Sequence, residues 1–199
     1  MKMLSRTPLV LALLGCTLSV VAAQTPTTPA PTTAPATVNA PSLAAAGSTD
    51  KHAAIRDAKV TMAQAVEVAE RTGGQGKAID VEFERTSGSE PAHYEIKVVY
   101  PDGKLVEHKV DANAGTVLKS ENQPFERYFT RLKPADFHAA KASLRDAIKA
   151  AEGSIGNSAR AVEAVVEKDG SAVVYEIELA STSGKHEVRV DANGQVISR

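Results

Sequence analysis

Tyr94-Glu95-Ile96 recurs as Tyr175-Glu176-Ile177, and Val110-Asp111-Ala112-Asn113 recurs as Val190-Asp191-Ala192-Asn193. The offsets are 81 and 80 residues, so two copies of one unit run in register with almost no insertion. Working back from the first motif, each copy opens on a helix signal. Thr61 and Gln64 have the spacing of a capping box, and Met62, Ala65, Val66 and Ala69 follow at i, i+3, i+4 and i+7. In the second copy Ser143 is the cap and Leu144, Ala147, Ile148 and Ala151 repeat the stripe. Gly73-Gly74 and Gly153 are read as the helix stops.

Period-two alternation marks the strands. Ile79, Val81 and Phe83 share one face, with Asp80, Glu82 and Glu84 on the other. Tyr94, Ile96, Val98 and Tyr100 form the next apolar row, and after the turn Pro101-Asp102-Gly103 come Val106, His108 and Val110. The second copy gives Val162, Ala164, Val166; then Tyr175, Ile177, Leu179; then His186, Val188, Val190, with turns at Asp169-Gly170 and Ser183-Gly184. Val117 and Val196 begin short returning strands. The expected fold is α+β: two tandem modules at 61–118 and 143–199, each one helix packed on a three- to four-stranded antiparallel sheet. Between them lies an aromatic-containing linker helix, 119–142.

The order of capped helix, glycine stop, acidic strand, Tyr-x-Ile strand, glycine turn and Val-Asp-Ala ending resembles the PepSY domain, in both copies. The resemblance implies a small exported regulatory or peptidase-inhibiting module without catalytic residues, and it leaves the partner open.

The chain has 199 residues, 43% of them hydrophobic, with 4% aromatics and no Trp. Modules rich in Ala and Val have shallow cores, so modest stability is expected. The formal net charge is −1. The first 23 residues carry Lys2 and Arg6 and no acid, so their removal makes the chain more acidic. That balance argues against a nucleic-acid partner, which needs a concentrated basic surface.

The start, Met1-Lys2-Met3-Leu4-Ser5-Arg6 followed by an apolar run to Ala23, reads as a signal peptide over 1–23. Val21-Ala22-Ala23 supplies the small side chains for cleavage, with Gln24 as the new first residue. Gly15, Thr17 and Ser19 interrupt the run, which speaks against a membrane span, and no later segment is apolar enough to be one. Leu13-Leu14-Gly15-Cys16 offers an alternative, lipidation at Cys16, the chain's one cysteine. The location is then periplasmic or secreted, or membrane-anchored through lipid. Residues 24–60 are read as a Thr/Pro/Ala-rich disordered tether and lead-in, with Pro26, Pro29, Pro31, Pro35 and Pro41 favouring extended chain.

Catalytic patterns fail on order or spacing. Gly73-Gly74-Gln75-Gly76 follows a helix and precedes a strand, the reverse of a phosphate loop. Asp111-x-Asn113 and Asp191-x-Asn193 resemble the opening of a calcium loop, but Thr116 stands where an EF-hand needs Gly and Asn122 where it needs a bidentate Glu. His52, His93, His108, His138 and His186 have no helical metal-site spacing. No catalytic, cofactor-binding or metal residue is assigned, and no enzyme activity is expected.

Two features could carry a protein or peptide partner. Phe125, Tyr128, Phe129 and Leu132 form an aromatic row at i, i+3, i+4 and i+7 between the copies, either an anchor for a partner or internal packing. Glu163, Glu167, Glu176, Glu178 and Glu187 against Arg189 make the outward face of the second sheet acidic, either solvated or a dock for a basic partner.

Overall fold

A computed structural model describes residues 50–123, 133, 136, 139–156 and 158–198. A short helix α1 (Lys51–Ala54) and a 3-10 turn (Ile55–Asp57) lead into α2 (Met62–Arg71). Four strands follow: β1 (Lys77–Glu84), β2 (His93–Val99), β3 (Leu105–Asp111) and β4 (Val117–Asn122). The second copy repeats the order as α3 (Leu144–Ile155), β5 (Arg160–Asp169), β6 (Ala172–Ser181), β7 (Gly184–Asp191) and β8 (Val196–Ser198).

The eight strands form one antiparallel sheet in the order β4-β3-β2-β1-β5-β6-β7-β8. Sequence predicts two separate small sheets; instead the halves join through β1 and β5. The first strand of each copy would otherwise be an edge with unpaired N–H and C=O groups, and each closes the other. Asp80 faces Val165, Val81 faces Ala164 and Glu82 faces Glu163.

The two halves superpose by register. Val81 pairs with Ile96, and Ala164 with Ile177. Both first strands carry a bulge, at Ala78/Asp80 and at Ala161/Glu163. Val81 and Ala164 are therefore the same place in the two copies, and a local pseudo-twofold axis runs between them.

Both helices lie on one face of the sheet and their apolar stripes are buried: Met62, Ala65, Val66 and Ala69 on α2, and Leu144, Ala147, Ile148 and Ala151 on α3. They meet Val81, Phe83, Tyr94, Ile96, Ala164, Tyr175, Ile177 and Leu179 in one core. The capping boxes form as the sequence predicts. Thr61 Oγ1 accepts from the Gln64 N–H at 3.3 Å, and Ser143 Oγ from the Asp146 N–H at 3.2 Å. One helix stop differs. Gly153 lies inside α3, where nothing crowds it, and the helix ends at Gly156 with φ +123°. Packing of Ile148, Ala151 and the half-buried Ile155 outweighs the roughly 1 kcal/mol that a mid-helix glycine costs relative to alanine.

The repeated motifs have a physical explanation. The Tyr94 hydroxyl donates to the Val60 carbonyl at 2.6 Å, and the Tyr175 hydroxyl donates to the Ala142 carbonyl. The Val60 N–H donates to the Ala112 carbonyl at 2.9 Å, and the Ala142 N–H to the Ala192 carbonyl at 3.0 Å. Tyr of the first motif and Ala of the second thus hold the residue just before the helix cap. Asp111 Oδ1 accepts the N–H groups of Asn113 and Ala114, and Asp191 Oδ1 those of Asn193 and Gln195. These backbone bonds hold both carboxyls below the ordinary aspartate value. Gly76 is required for close approach, since a Cβ there would stand 2.2 Å from Val98 Cγ1.

Candidate functional site: a glutamate row across the seam

The face opposite the helices takes the polar half of every strand's alternation. Joining the two sheets lines these residues up. Glu95 on β2 faces Glu82 on β1, Glu82 faces Glu163 on β5, Glu163 faces Glu178 on β6, and Glu178 faces Glu187 on β7. Five glutamates from five adjacent strands therefore form one row. With strands about 4.8 Å apart, the row is about 19 Å long. The neighbouring row is balanced: Lys97, Asp80, Val165, Glu176 and Arg189 face one another in that order.

Like charges directly opposite each other destabilise a sheet, and the chain offsets this with cations. Lys109 Nζ reaches Glu95 at 2.9 Å and Glu90 at 2.8 Å. Lys185 pairs with Glu178. A further cation comes from α1, whose Lys51 Nζ lies 2.5 Å from Glu82 and 3.0 Å from Glu84. His52 Nε2 lies 2.5 Å from Glu178 Oε1. The lead-in segment thus straps the seam, gripping β1 of one half and β6 of the other, with Ile55 buried at 1% exposure beside it.

The carboxyls respond accordingly. Burial alone would raise Glu95 and Glu178, but hydrogen bonds from Lys109 and His93, and from Lys185 and His52, outweigh it and hold both below the ordinary glutamate value. Glu163 is pushed up, first by burial and then by the charges of Glu82, Glu178 and Asp80. Among the described residues Glu163 and Glu187 have no ion pair, and both are exposed. Lys51 and Lys185 act on Glu163, and Lys185 on Glu187, only through their charge, so the centre and one end of the row stay exposed without a direct ion pair among the described residues.

The structure places Glu163, Glu178 and Glu187 in this row. Arg189 Nε sits 3.0 Å from Glu176 and its Nη2 lies 3.1 Å from Asp169. Glu167 is exposed on β5. Sequence reading missed Glu82, Glu95 and Lys51 as members of one site, because only the β1–β5 pairing brings the copies together. Lys119–Asn122, read as the start of the linker, belong to β4. Phe125, Tyr128, Phe129 and Leu132 lie outside the described residues, as do Cys16, Ala23 and Gln24.

The histidines take separate roles. His93 is buried, with Nδ1 2.8 Å from the Pro91 carbonyl. His108 is buried against Tyr100 and Ser120. His186 Nε2 lies 2.8 Å from Ser181 Oγ. Among the described residues no three His, Cys, Asp or Glu side chains come together as a group able to hold a metal ion. Nor, among them, is any helix long and apolar enough to cross a membrane.

Two solved structures are similar to this chain. A candidate lipoprotein from Clostridium difficile 630 shares 21% identity at TM-score 0.40, over 71% of this chain and 93% of its own. The Bacillus megaterium YpeB C-terminal domain shares 15% at TM-score 0.23, over 69% of this chain and 61% of its own. Among curated proteins none matches. The sequence profile of the peptidase propeptide and YPEB domain, PepSY, matches residues 59–121 and 141–199. These two stretches make up more than half of the chain and coincide with the two helix-and-four-strand copies, so the chain belongs to the PepSY family.

Proposed function

We propose that this protein is an exported, non-catalytic binding module of the cell envelope. It engages a basic segment of a protein partner through the row Glu95, Glu82, Glu163, Glu178 and Glu187. The observation that carries this reading is the row itself, with Glu163 and Glu187 exposed and in no direct ion pair among the described residues. The ion pair of Lys51 with Glu82 supports the reading, since it is an ammonium contact made to a member of the row. The peptidase propeptides in the family's description make a peptidase the first partner class to test.

Two of the four strand edges are used at the seam, which leaves β4 and the three-residue β8 as the outer edges. A face contact therefore suits this chain better than strand addition along a long edge. The test uses the mature protein as bait in envelope extract beside a Glu163→Lys, Glu187→Lys variant. A stoichiometric partner held by the first and lost by the second, at equal melting temperature, supports the reading. Equal capture by both defeats it.

A second reading rests on Leu13-Leu14-Gly15-Cys16: a lipid-anchored structural or sensory envelope factor with no peptidase partner. Intact-mass analysis of the exported protein separates the two processing routes. A chain beginning at Gln24 supports cleavage after Ala23, and a diacylated chain beginning at Cys16 supports the anchor.

A further inference from the structure

Lys51 and His52 reach from one short helix to the two neighbours of Glu163. In the row, Glu163 on β5 stands between Glu82 on β1 and Glu178 on β6. Lys51 Nζ takes Glu82 at 2.5 Å, together with Glu84 at 3.0 Å. His52 Nε2 lies 2.5 Å from Glu178 Oε1. A carboxylate only accepts, so Nε2–H is the donor. α1 lies against β6, and the 3-10 turn after it lies against β5. The free chain thus already carries a basic segment across the middle of its own row.

The hold on this segment is uneven. Lys109 and Lys185 also bond members of the row, but they stand on β3 and β7 and stay with the sheet. Lys51 stands on a helix of four residues, none of them buried. So short a helix has no stability of its own in water. The side chains of Lys51 and His52 keep 29% and 32% exposure. Ion pairs this exposed contribute little each, because water and salt compete for both partners. The firm anchor comes just after the helix, where Ile55 is 1% exposed. α1 can therefore lift from the row by a hinge at Ala54, while Ile55 and everything after it stay packed.

Resting on the binding role proposed for the row, we propose that α1 is a built-in competitor. In the free protein it occupies the middle of the row. A basic segment of the partner binds by displacing Lys51 and His52 from Glu82, Glu84 and Glu178. The exchange is like for like, one cation for another on the same carboxylates, so no charge is left without a partner. Displacement joins Glu82, Glu163 and Glu178 into a run across three adjacent strands, about 10 Å long at the usual strand spacing. The affinity of this run for a ligand is its intrinsic affinity reduced by the fraction of chains with α1 lifted. The strap therefore sets a threshold that weakly basic ligands fail to cross.

The test titrates three forms of the mature chain with octalysine at physiological salt. They are the wild type, a Lys51→Ala, His52→Ala variant and a charge control, Lys104→Ala, Lys149→Ala. The control lysines are exposed in the β2–β3 turn and on α3, and their loss removes at least as much positive charge. The strap variant should bind about threefold or more tightly than the charge control, as the loss of competing exposed ion pairs allows. In the wild type at saturation, the amide resonances of Lys51–Ala54 should move to random-coil positions while the Ile55 methyl resonances keep their folded ones. A strap variant that binds no more tightly than the charge control, or α1 resonances that stay folded at saturation, overturns the competitor role and leaves the binding role of the row standing. Octalysine that binds none of the three forms defeats that binding role and the competitor role with it.

Discussion

Val81 lies directly opposite Ala164 in the central ladder, and the two residues hold the same place in the two repeats. The duplicated halves thus meet as a pair of copies would meet in a twofold dimer, with the linker making the pairing intramolecular. A hydrogen-bonded seam through the middle of the sheet couples the stability of one half to that of the other.

The first prediction is a single cooperative unfolding transition. Ile96 and Ile177 are both fully buried, on strands flanking the seam pair. Ile96→Ala and Ile177→Ala should each cost about 2–5 kcal/mol, as large-to-small changes in a core do. Denaturant melts followed with probes in each half should shift together for either variant. Two separate transitions, each sensitive to only one of the changes, would show that the seam is weak.

Glu163 gives a pH-dependent prediction. Its folded-state value is raised, by burial and then by Glu82, Glu178 and Asp80, so the folded protein holds this proton more tightly than the unfolded chain does. Its contribution to stability is fully present in acid, below the unfolded glutamate value, and is lost as pH rises through the folded value. Glu163→Gln should therefore stabilise the protein at neutral pH by up to about 1 kcal/mol, the range of a like-charge cross-strand pair. The advantage should vanish in acid. Melts of both proteins across pH 3 to 8 read this directly, and a variant less stable than wild type at neutral pH would show that Glu163 has a favourable partner.

The strap gives a third prediction. Limited proteolysis should trim the chain no further than about Asp50, because α1 is bonded to Glu82, Glu84 and Glu178 and Ile55 is buried. Raising salt screens the ion pairs but not the apolar anchor. Ile55→Ala should expose the segment to cleavage at any ionic strength, whereas Lys51→Ala should do so only weakly. Rapid cleavage between Lys51 and Asp57 in the wild-type protein would mean the strap is not closed in solution.

The local structure was legible in sequence because each signal was itself local. Thr61 with Gln64 announced one capping box and Ser143 another, and the alternating rows of β1 to β3 and of β5 to β7 announced their buried faces. Gly153 misled because a glycine stops a helix only where packing beyond it is weak, and Ile155 extends the packing of α3. The seam was not legible. Nothing in the composition of β1 distinguishes a free edge from one paired with β5, so Glu163, Glu178 and Glu187 read as an outward face of the second copy and Glu82 as part of an unrelated acidic strand in the first. Lys51 lay in a segment read as tether, where a single lysine carries no signal.

The most direct test of the central claim is a nuclear magnetic resonance titration of the mature protein with a lysine-rich peptide at physiological salt, using Glu163→Lys, Glu187→Lys as the control. The account predicts shifts concentrated on Glu82, Glu95, Glu163, Glu178 and Glu187, saturating with a defined stoichiometry, and their loss in the variant. Shifts scattered over the surface and unchanged in the variant, or confined to the α2 and α3 side, would contradict it.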